Sequence, residues 1–302
     1  MEKAIKEILI IFLLVQLIGL ACGVYLIFLS PEENLAAYEP SESVSYSLFF
    51  IASVLFGALF MYLLLRVYKG NFLFKIMESC VIFISSWVVF SVVVDFLMLP
   101  WWLSLLFAFA LVVLKAKFSK ARNVAALISS AGVGALFGYS LGFLPVALFA
   151  IFLSFYDFIA VFLTKHMVMF AQRFSKMELS FSIAAEIEKK PEEPGKPEGE
   201  KKEEEHRKIE LGTGDLTVPL MITVSSFKLG CIEFLQNSCI QFSPSLGVLF
   251  ALISIVFSTV ALYSILDFVY KKRGFLPALP PLVLSQLISI SIFYIFARIF
   301  LM

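Results

Sequence analysis

Histidine is scarce in this 302-residue sequence, which contains only His166 and His206. A zinc protease of the HExxH type needs two histidines one turn apart on a helix, so that class is excluded. Residues 138–142 read Gly-Tyr-Ser-Leu-Gly and fit the GxSxG pattern of serine hydrolases. Such a nucleophile needs a histidine base at matching depth, and neither histidine provides one. We therefore interpret this pattern as a site of close helix packing.

Charged residues are also few: they make up 16% of the chain, whereas hydrophobic residues make up 60%. Many apolar stretches approach twenty residues, the length that an α-helix needs to cross a bilayer. This composition predicts an all-α, polytopic protein that is integral to the lipid bilayer. The net charge is +1 and the basic residues form no cluster of the kind that binds nucleic acid, so we expect no nucleic-acid partner.

Hydropathy predicts nine transmembrane helices. The first apolar stretch is longer than the core of a signal peptide and lacks a convincing small-residue cleavage site, so we expect it to be a retained span. The predicted spans cover residues 8–29, 47–65, 76–95, 98–114, 123–142, 144–164, 211–232, 245–266 and 275–297.

Lysine and arginine are distributed unequally between the two sides of this topology. Twelve lie on the side of the amino terminus and two, Lys228 and Arg298, lie on the other, without counting the long loop at residues 165–210. Because cytoplasmic loops carry the excess of basic residues, we expect a cytoplasmic amino terminus. After nine spans the carboxyl terminus is then external, and the cell membrane is the expected location.

The long loop divides the chain into three parts. Residues 1–164 carry the first six spans, residues 165–210 form the cytoplasmic loop, and residues 211–302 carry the last three spans. Apolar residues at helical spacing from His166 to Ile183 predict an amphipathic helix at the membrane surface. The segment from Ala184 to Glu210 is highly charged and has no aromatic residue, which predicts disorder.

Two of the four aspartates, Asp157 and Asp215, lie within predicted spans, where a charged side chain indicates a functional site. Asp157 precedes Lys165 by eight residues and Asp215 follows Glu210 by five, so they lie roughly 12 Å and 8 Å from the cytoplasmic ends of their helices. Two carboxylates that meet in a low-dielectric site do not readily both ionise, so such a pair shares a proton. An aspartic protease uses this arrangement: the ionised carboxylate takes a proton from water and the protonated one polarises the scissile carbonyl.

Glycine and proline mark two further segments. Gly212 and Gly214 flank Thr213 just before Asp215 and remove side chains there, so a substrate backbone or a facing helix can approach the carboxylate. Residues 277–281 read Pro-Ala-Leu-Pro-Pro, and these prolines prevent a regular helix at the start of the ninth span. Non-helical backbone at membrane depth is tolerated where it is buried in protein or lines a wet cavity, so we expect a water-accessible pocket on the cytoplasmic side.

These three motifs, Tyr-Asp at 156–157, Gly-Thr-Gly-Asp at 212–215 and Pro-Ala-Leu at 277–279, occur in an order that resembles presenilin and signal peptide peptidase, the GxGD intramembrane aspartyl proteases. The resemblance covers essentially the whole chain and implies that Asp157 and Asp215 are the catalytic pair. The implied neighbours of this pair, which shape the substrate site, are Tyr156, Gly212, Thr213, Gly214, Pro277, Ala278 and Leu279. Signal peptide peptidases are expected in the opposite orientation, so the charge distribution favours the presenilin orientation. The short loop and the minimal amino terminus make this chain most similar to a microbial presenilin homologue.

The resemblance implies an endoprotease that hydrolyses peptide bonds of transmembrane-helix substrates with a water molecule activated by two aspartates. The active site is expected to face the cytoplasmic half of the membrane and to need no metal or organic cofactor. The sequence leaves open whether accessory subunits are required. A substrate helix must unwind before cleavage, and we hypothesise that the unwound segment pairs as a strand with Glu210–Gly212 or Gly274–Pro277.

The main alternative is an ion- or proton-coupled transporter or channel, because buried aspartates also titrate with a moving ion in such proteins. A protease releases two peptide fragments from its substrate, whereas a transporter releases none. The other charged residues are interpreted structurally. Asp95 and Asp267 lie at span ends, Glu78 follows Lys75 by three residues and is expected to pair with it at the surface, and Lys228 is expected to reach the outer interface.

Overall fold

The computed structural model describes residues 2–29, 44–67, 72–159, 182–186, 208–236, 244–272 and 277–300. Within these ranges the chain forms nine α-helices and two short β-strands. In chain order they are α1 (Glu2–Leu29), α2 (Val44–Val67), α3 (Phe72–Phe96), α4 (Trp102–Lys117), α5 (Ser119–Ser140), α6 (Phe143–Ile159), β1 (Ser182–Glu186), β2 (Lys208–Gly212), α7 (Thr213–Gln236), α8 (Pro244–Lys272) and α9 (Leu279–Phe300).

Each of the nine helices overlaps one predicted span, and the largest differences are at helix ends. The seventh helix begins at Thr213 instead of residue 211, because Leu211 and Gly212 complete strand β2. The ninth begins at Leu279, since Pro277 and Ala278 precede the helix and Pro280 and Pro281 occupy its first turn, where proline is tolerated. Residues 160–164 and 275–276 of the predicted spans lie outside the described residues.

Among the described residues, five helices are long and apolar enough to cross a membrane: α1, α3, α5, α8 and α9. Helices α4 and α6 are shorter, with 16 and 17 residues. Several helices of this length and hydropathy make the chain an integral, multi-pass membrane protein.

Helix α7 lies at the centre of the molecule and packs against α1, α5, α6, α8 and α9. Every side chain from Leu216 to Phe227 except Thr217 is buried. Because protein and not lipid surrounds this helix, it can carry buried hydroxyl groups at Thr223, Ser225 and Ser226, which bond to backbone carbonyls of the same helix. The fold thereby holds the helix that begins beside Asp215 from several sides.

Small residues on α1 and α5 allow this close packing. A Cβ added at Gly19 of α1 or at Gly134 of α5 would overlap the side chain of Leu220, which lies between the two glycines. Gly138 likewise packs against Val224, with a virtual Cβ 2.7 Å from that residue's Cβ. The glycine at the start of the GxSxG pattern is therefore a helix-packing position.

Strands β1 and β2 form an antiparallel pair in which Ser182 is opposite Gly212 and Glu186 is opposite Lys208. The all-α prediction is therefore correct for the helices but missed this small sheet. The prediction of disorder is wrong at both of its ends, since 184–186 and 208–210 are paired strands. Residues 182–183 belong to β1 and not to the predicted amphipathic helix, the rest of which lies outside the described residues.

Candidate active site

Asp215 lies in the first turn of α7, directly after strand β2. Its carboxylate accepts a hydrogen bond from the backbone N–H of Gly212, three residues earlier. This contact has the form of half a capping box, in which an acidic side chain at the third helical position satisfies the N–H of the N-cap residue. The hydroxyl of Thr217 donates to the carbonyl oxygen of Thr213 at 2.8 Å and closes the same turn. The local sequence thus fixes where the carboxylate points.

Asp157 lies in the last described turn of α6, which packs against α7. Its side chain is only 7% exposed, and its charge is the one that acts electrostatically on Asp215. Two carboxyl groups that are 58 positions apart in the sequence therefore lie on helices that pack together, close enough to interact electrostatically. Such a pair can hold one proton between its members and act on one water molecule.

Neither of the two glycines before Asp215 has a positive φ, so the backbone conformation does not require glycine at these positions. What glycine provides there is the absence of a side chain. A Cβ added at Gly212 would lie 3.4 Å from Oδ2 of Asp215, so glycine leaves that face of the carboxylate free. A Cβ added at Gly214 would have no described atom within 4 Å. Gly214, the residue before Asp215, therefore borders open space among the described residues.

The Pro-Ala-Leu segment contacts both aspartate-bearing helices. Leu279 is 6% exposed and packs in a cluster with Val146 and Phe149 of α6 and Val218 of α7. Ala278 packs against a second cluster that includes Leu216, and Pro277 is buried. The start of α9 thus packs against both helices that carry the aspartates.

Tyr156 differs from the other predicted site residues. Its side chain is 56% exposed, whereas the neighbouring Asp157 is buried. Successive residues of a helix point about 100° apart, so α6 can direct only one of the two inward at this level. Among the described residues, no group of three or more His, Cys, Asp and Glu side chains could hold a metal ion.

A cavity of about 300 Å³ adjoins Thr213 and Gly214. Its walls are mostly apolar and aromatic, and its polar residues are Glu78, Ser129, Ser130, Thr213 and Thr217. The lining residues are Phe50, Val54, Glu78, Val81, Ile82, Ser129, Ser130, Val133, Phe137, Phe149, Thr213, Gly214, Thr217, Val218 and Met221. An apolar cleft with a few polar groups is the usual form of a binding site.

Glu78 was missed as a site residue, and its predicted surface pairing with Lys75 is wrong. The side chain is buried and its Oε1 lies 2.6 Å from Nζ of Lys115. The two helices α3 and α4 pack antiparallel through a short turn, which brings Lys115 back beside Glu78. The sequence feature that could have identified Glu78 is its position as an acidic residue inside an apolar span, which indicates a buried partner or a functional role.

Lys228 has a partner that the sequence did not predict. Its Nζ donates a hydrogen bond to the carbonyl oxygen of Tyr139 at 3.0 Å and lies 5.8 Å from the centre of the Tyr139 ring. Tyr139 is in the last turn of α5, where the carbonyl groups lack helical partners and attract a positive charge. Lys228 therefore caps α5.

Comparisons with known proteins identify the family and the fold. The family profile described as signal-peptide peptidase, presenilin aspartyl protease matches residues 9–299. Two solved structures described as a presenilin family intramembrane aspartate protease, one in space group C222 and one in P2, have a similar fold. Their TM-scores are 0.62 and 0.64 and each is 23% identical to this chain; the alignments cover 95% and 96% of it and 97% of each solved chain.

No curated protein matches the sequence. The likeness to the solved structures concerns the fold, whereas the profile match spans nearly the whole chain and includes both aspartates. The chain belongs to the signal-peptide peptidase and presenilin aspartyl protease family.

Proposed function

We propose that this protein is an aspartic endopeptidase of the GxGD type that hydrolyses peptide bonds within the transmembrane helices of its substrates. The observation that supports this proposal is that Asp157 and Asp215 lie on two helices that pack together and are near enough to interact electrostatically, with open space at Gly214. Tyr156, Thr213 and the Pro-Ala-Leu segment at 277–279 are proposed to shape the approach to this pair. No metal or organic cofactor takes part in the proposed reaction.

In that reaction the two carboxylates share one proton and bind one water molecule. The ionised carboxylate accepts a proton from the water as its oxygen attacks the scissile carbonyl carbon, and the protonated carboxyl gives its proton to the carbonyl oxygen. A tetrahedral diol results. Its collapse breaks the C–N bond as the nitrogen takes up a proton, so one new carboxyl group and one new amino group are released.

The proposed topology uses all nine helices as spans, with the amino terminus in the cytoplasm and the carboxyl terminus outside. The cell membrane is the proposed location, with Asp157 and Asp215 in its cytoplasmic half. The support is the excess of Lys and Arg on the amino-terminal side and the position of both aspartates near the helix ends that face the loop at 165–210.

Strand β2 is proposed to receive the unwound substrate. It leads directly into Asp215, and in the described part of the chain it pairs only with β1, so one of its edges still has backbone groups available. Ile209 and Glu210 direct their N–H groups to opposite edges of β2. Proline at the position whose N–H faces away from β1 should reduce cleavage more than proline at its neighbour. Equal cleavage by Ile209→Pro and Glu210→Pro would contradict strand pairing.

The proposed activity is tested with the purified chain and a single-span substrate in liposomes, with the products identified by mass spectrometry. We expect two fragments whose new ends lie in the cytoplasmic half of the substrate helix. Cleavage by the purified chain alone would also show that accessory subunits are not needed. If well-folded protein releases no fragment from several substrates but moves protons across the membrane, the transporter alternative is correct.

A further inference from the structure

Four polar side chains meet in the interior of the bundle, one each from α1, α7, α8 and α9. Gln16, Thr223, Ser254 and Gln286 are all fully buried. The Thr223 hydroxyl lies 3.1 Å from Oε1 of Gln16 and 3.0 Å from the Ser254 hydroxyl. Polar groups this deep in an apolar bundle are retained only when they bond to one another or have a role. We call these four residues the polar cluster.

The polar cluster surrounds a weak point in α7. Pro219 lies inside this helix, four residues after Asp215. Proline has no backbone N–H, so the carbonyl group of Asp215 lacks its normal helical partner. The first turn of α7, which carries the carboxylate, is therefore joined to the rest of the helix by fewer hydrogen bonds than usual. Such a site favours a kink unless neighbouring groups support it.

Gln286 provides that support from another helix. Its Nε2 donates to the carbonyl oxygen of Pro219 at 3.1 Å and to the hydroxyl of Ser254 at 2.9 Å. The Thr223 hydroxyl also lies 2.9 Å from the Pro219 carbonyl, but Thr223 belongs to α7 itself. Within the polar cluster, Gln286 is thus the residue of another helix that bonds to the backbone at the proline.

Gln286 also links this point to the Pro-Ala-Leu segment. It follows Leu279 by seven residues on α9, about two helical turns or roughly 10 Å along one rigid element. Leu279 packs against α6 and α7 at one end of this stretch, and Gln286 holds the Pro219 carbonyl at the other. Helix α9 therefore contacts α7 at two levels, through Leu279 and through Gln286.

We infer that Gln286 is a positioning residue: by bonding the Pro219 carbonyl, it fixes the first turn of α7 and so the place of Asp215 relative to Asp157. This inference rests on the proposed proteolytic function for its consequence in catalysis. Its structural part, the ordering of the first turn of α7, does not. Gln286 does not need to touch substrate or water to have this effect.

The test compares Gln286→Met with Gln16→Met. Methionine has nearly the shape of glutamine without its amide, so both variants keep the packing volume. Each removes one amide from the polar cluster, but only Gln286 bonds to Pro219. Steady-state cleavage should show kcat lowered about 10- to 100-fold in Gln286→Met, the usual effect of a small misplacement of a catalytic group. KM should stay within about twofold, and Gln16→Met should lower kcat by less than about threefold.

Hydrogen–deuterium exchange of residues 213–223 gives a second readout that needs no substrate. Gln286→Met should raise exchange there about fivefold, and Gln16→Met should not, because only the first variant releases the backbone at Pro219. Adding Pro219→Ala restores the N–H that can bond to the Asp215 carbonyl. This second change should therefore recover both the exchange protection and part of kcat in Gln286→Met.

Equal effects of the two methionine variants on exchange would overturn the inference, as would a Gln286→Met variant with unchanged exchange and kcat. If the parent chain cleaves no substrate but Gln286→Met alone raises exchange, the positioning of α7 holds and the proposed proteolytic function fails. The two ideas are thus separated by a single set of variants.

Discussion

Replacing Lys115 by methionine should destabilise the protein far more than replacing Lys75, although the sequence spacing favours Lys75 as the partner of Glu78. In the structure Nζ of Lys115 lies 2.6 Å from Oε1 of Glu78, and the two side chains expose only 9% and 4% of their surfaces. Lys75 is exposed in the first turn of α3. The comparison therefore tests how α3 and α4 pack beside the cavity.

The expected magnitude follows from burial. Removing one member of a buried ion pair takes away the opposite charge that compensates the other member and costs about 3–5 kcal/mol of unfolding free energy. Lys75→Met changes an exposed side chain and should stay within about 0.5 kcal/mol. Glu78→Leu combined with Lys115→Met removes both charges, so the double variant should be more stable than Lys115→Met alone.

Tryptophan fluorescence can follow unfolding in mixed micelles of increasing SDS content. All three tryptophans, Trp87, Trp101 and Trp102, lie in α3, in α4 or in the turn between them. Nε1 of Trp87 donates to the Ser104 hydroxyl at 3.1 Å and so reports directly on the contact of the two helices. Equal losses of stability for Lys75→Met and Lys115→Met would refute the buried pair. Strictly additive losses in the double variant would also contradict it.

Three further substitutions separate stability from activity. Gly214→Ala adds a methyl group to the open space at Gly214. The free energy of unfolding should change by less than about 0.5 kcal/mol, whereas kcat/KM should fall about tenfold. Unchanged cleavage would show that the substrate does not approach there. Lys228→Met removes the hydrogen-bond donor to the Tyr139 carbonyl. It should cost about 1 kcal/mol of unfolding free energy and leave kcat unchanged. A loss of turnover would show that this contact affects the active site. Leu279→Ala should cost about 2–5 kcal/mol and also lower kcat, because this side chain packs against both aspartate-bearing helices; wild-type values would contradict its place in the core.

Much of the fold was predictable because each helix is a single local stretch of apolar sequence. The aspartates were also recognisable, since a carboxylate in such a stretch is rare. The start of the seventh helix was not predictable, because Leu211 and Gly212 pair with a strand from the distant loop. Hydropathy describes the solvent around a segment and carries no information about such pairing.

Contacts between residues that are far apart in the sequence were the features that could least be predicted from it. Glu78 forms its ion pair with Lys115 and not with Lys75, which is nearer in the sequence. Helix packing, and not sequence spacing, decides which charges are buried together. The bond between Gln16 and Thr223 spans 207 positions. A lone glutamine in an apolar stretch gives no sign of which helix it will face, so the polar cluster became visible only when the helices were placed.

The chain contains only four aspartates, and neutralising each one in turn tests the catalytic pair most directly. Asp157→Asn and Asp215→Asn are compared with Asp95→Asn and with Asp267→Asn, whose exposed carboxylate lies 2.7 Å from Lys271. Cleavage is measured in liposomes with saturating substrate. Both active-site variants should fall to background, and the double variant should be no lower than either, because the two groups act as a unit. The two control variants should stay within about twofold of the parent chain. Cleavage by folded Asp157→Asn or Asp215→Asn at the rate of the controls would contradict the account.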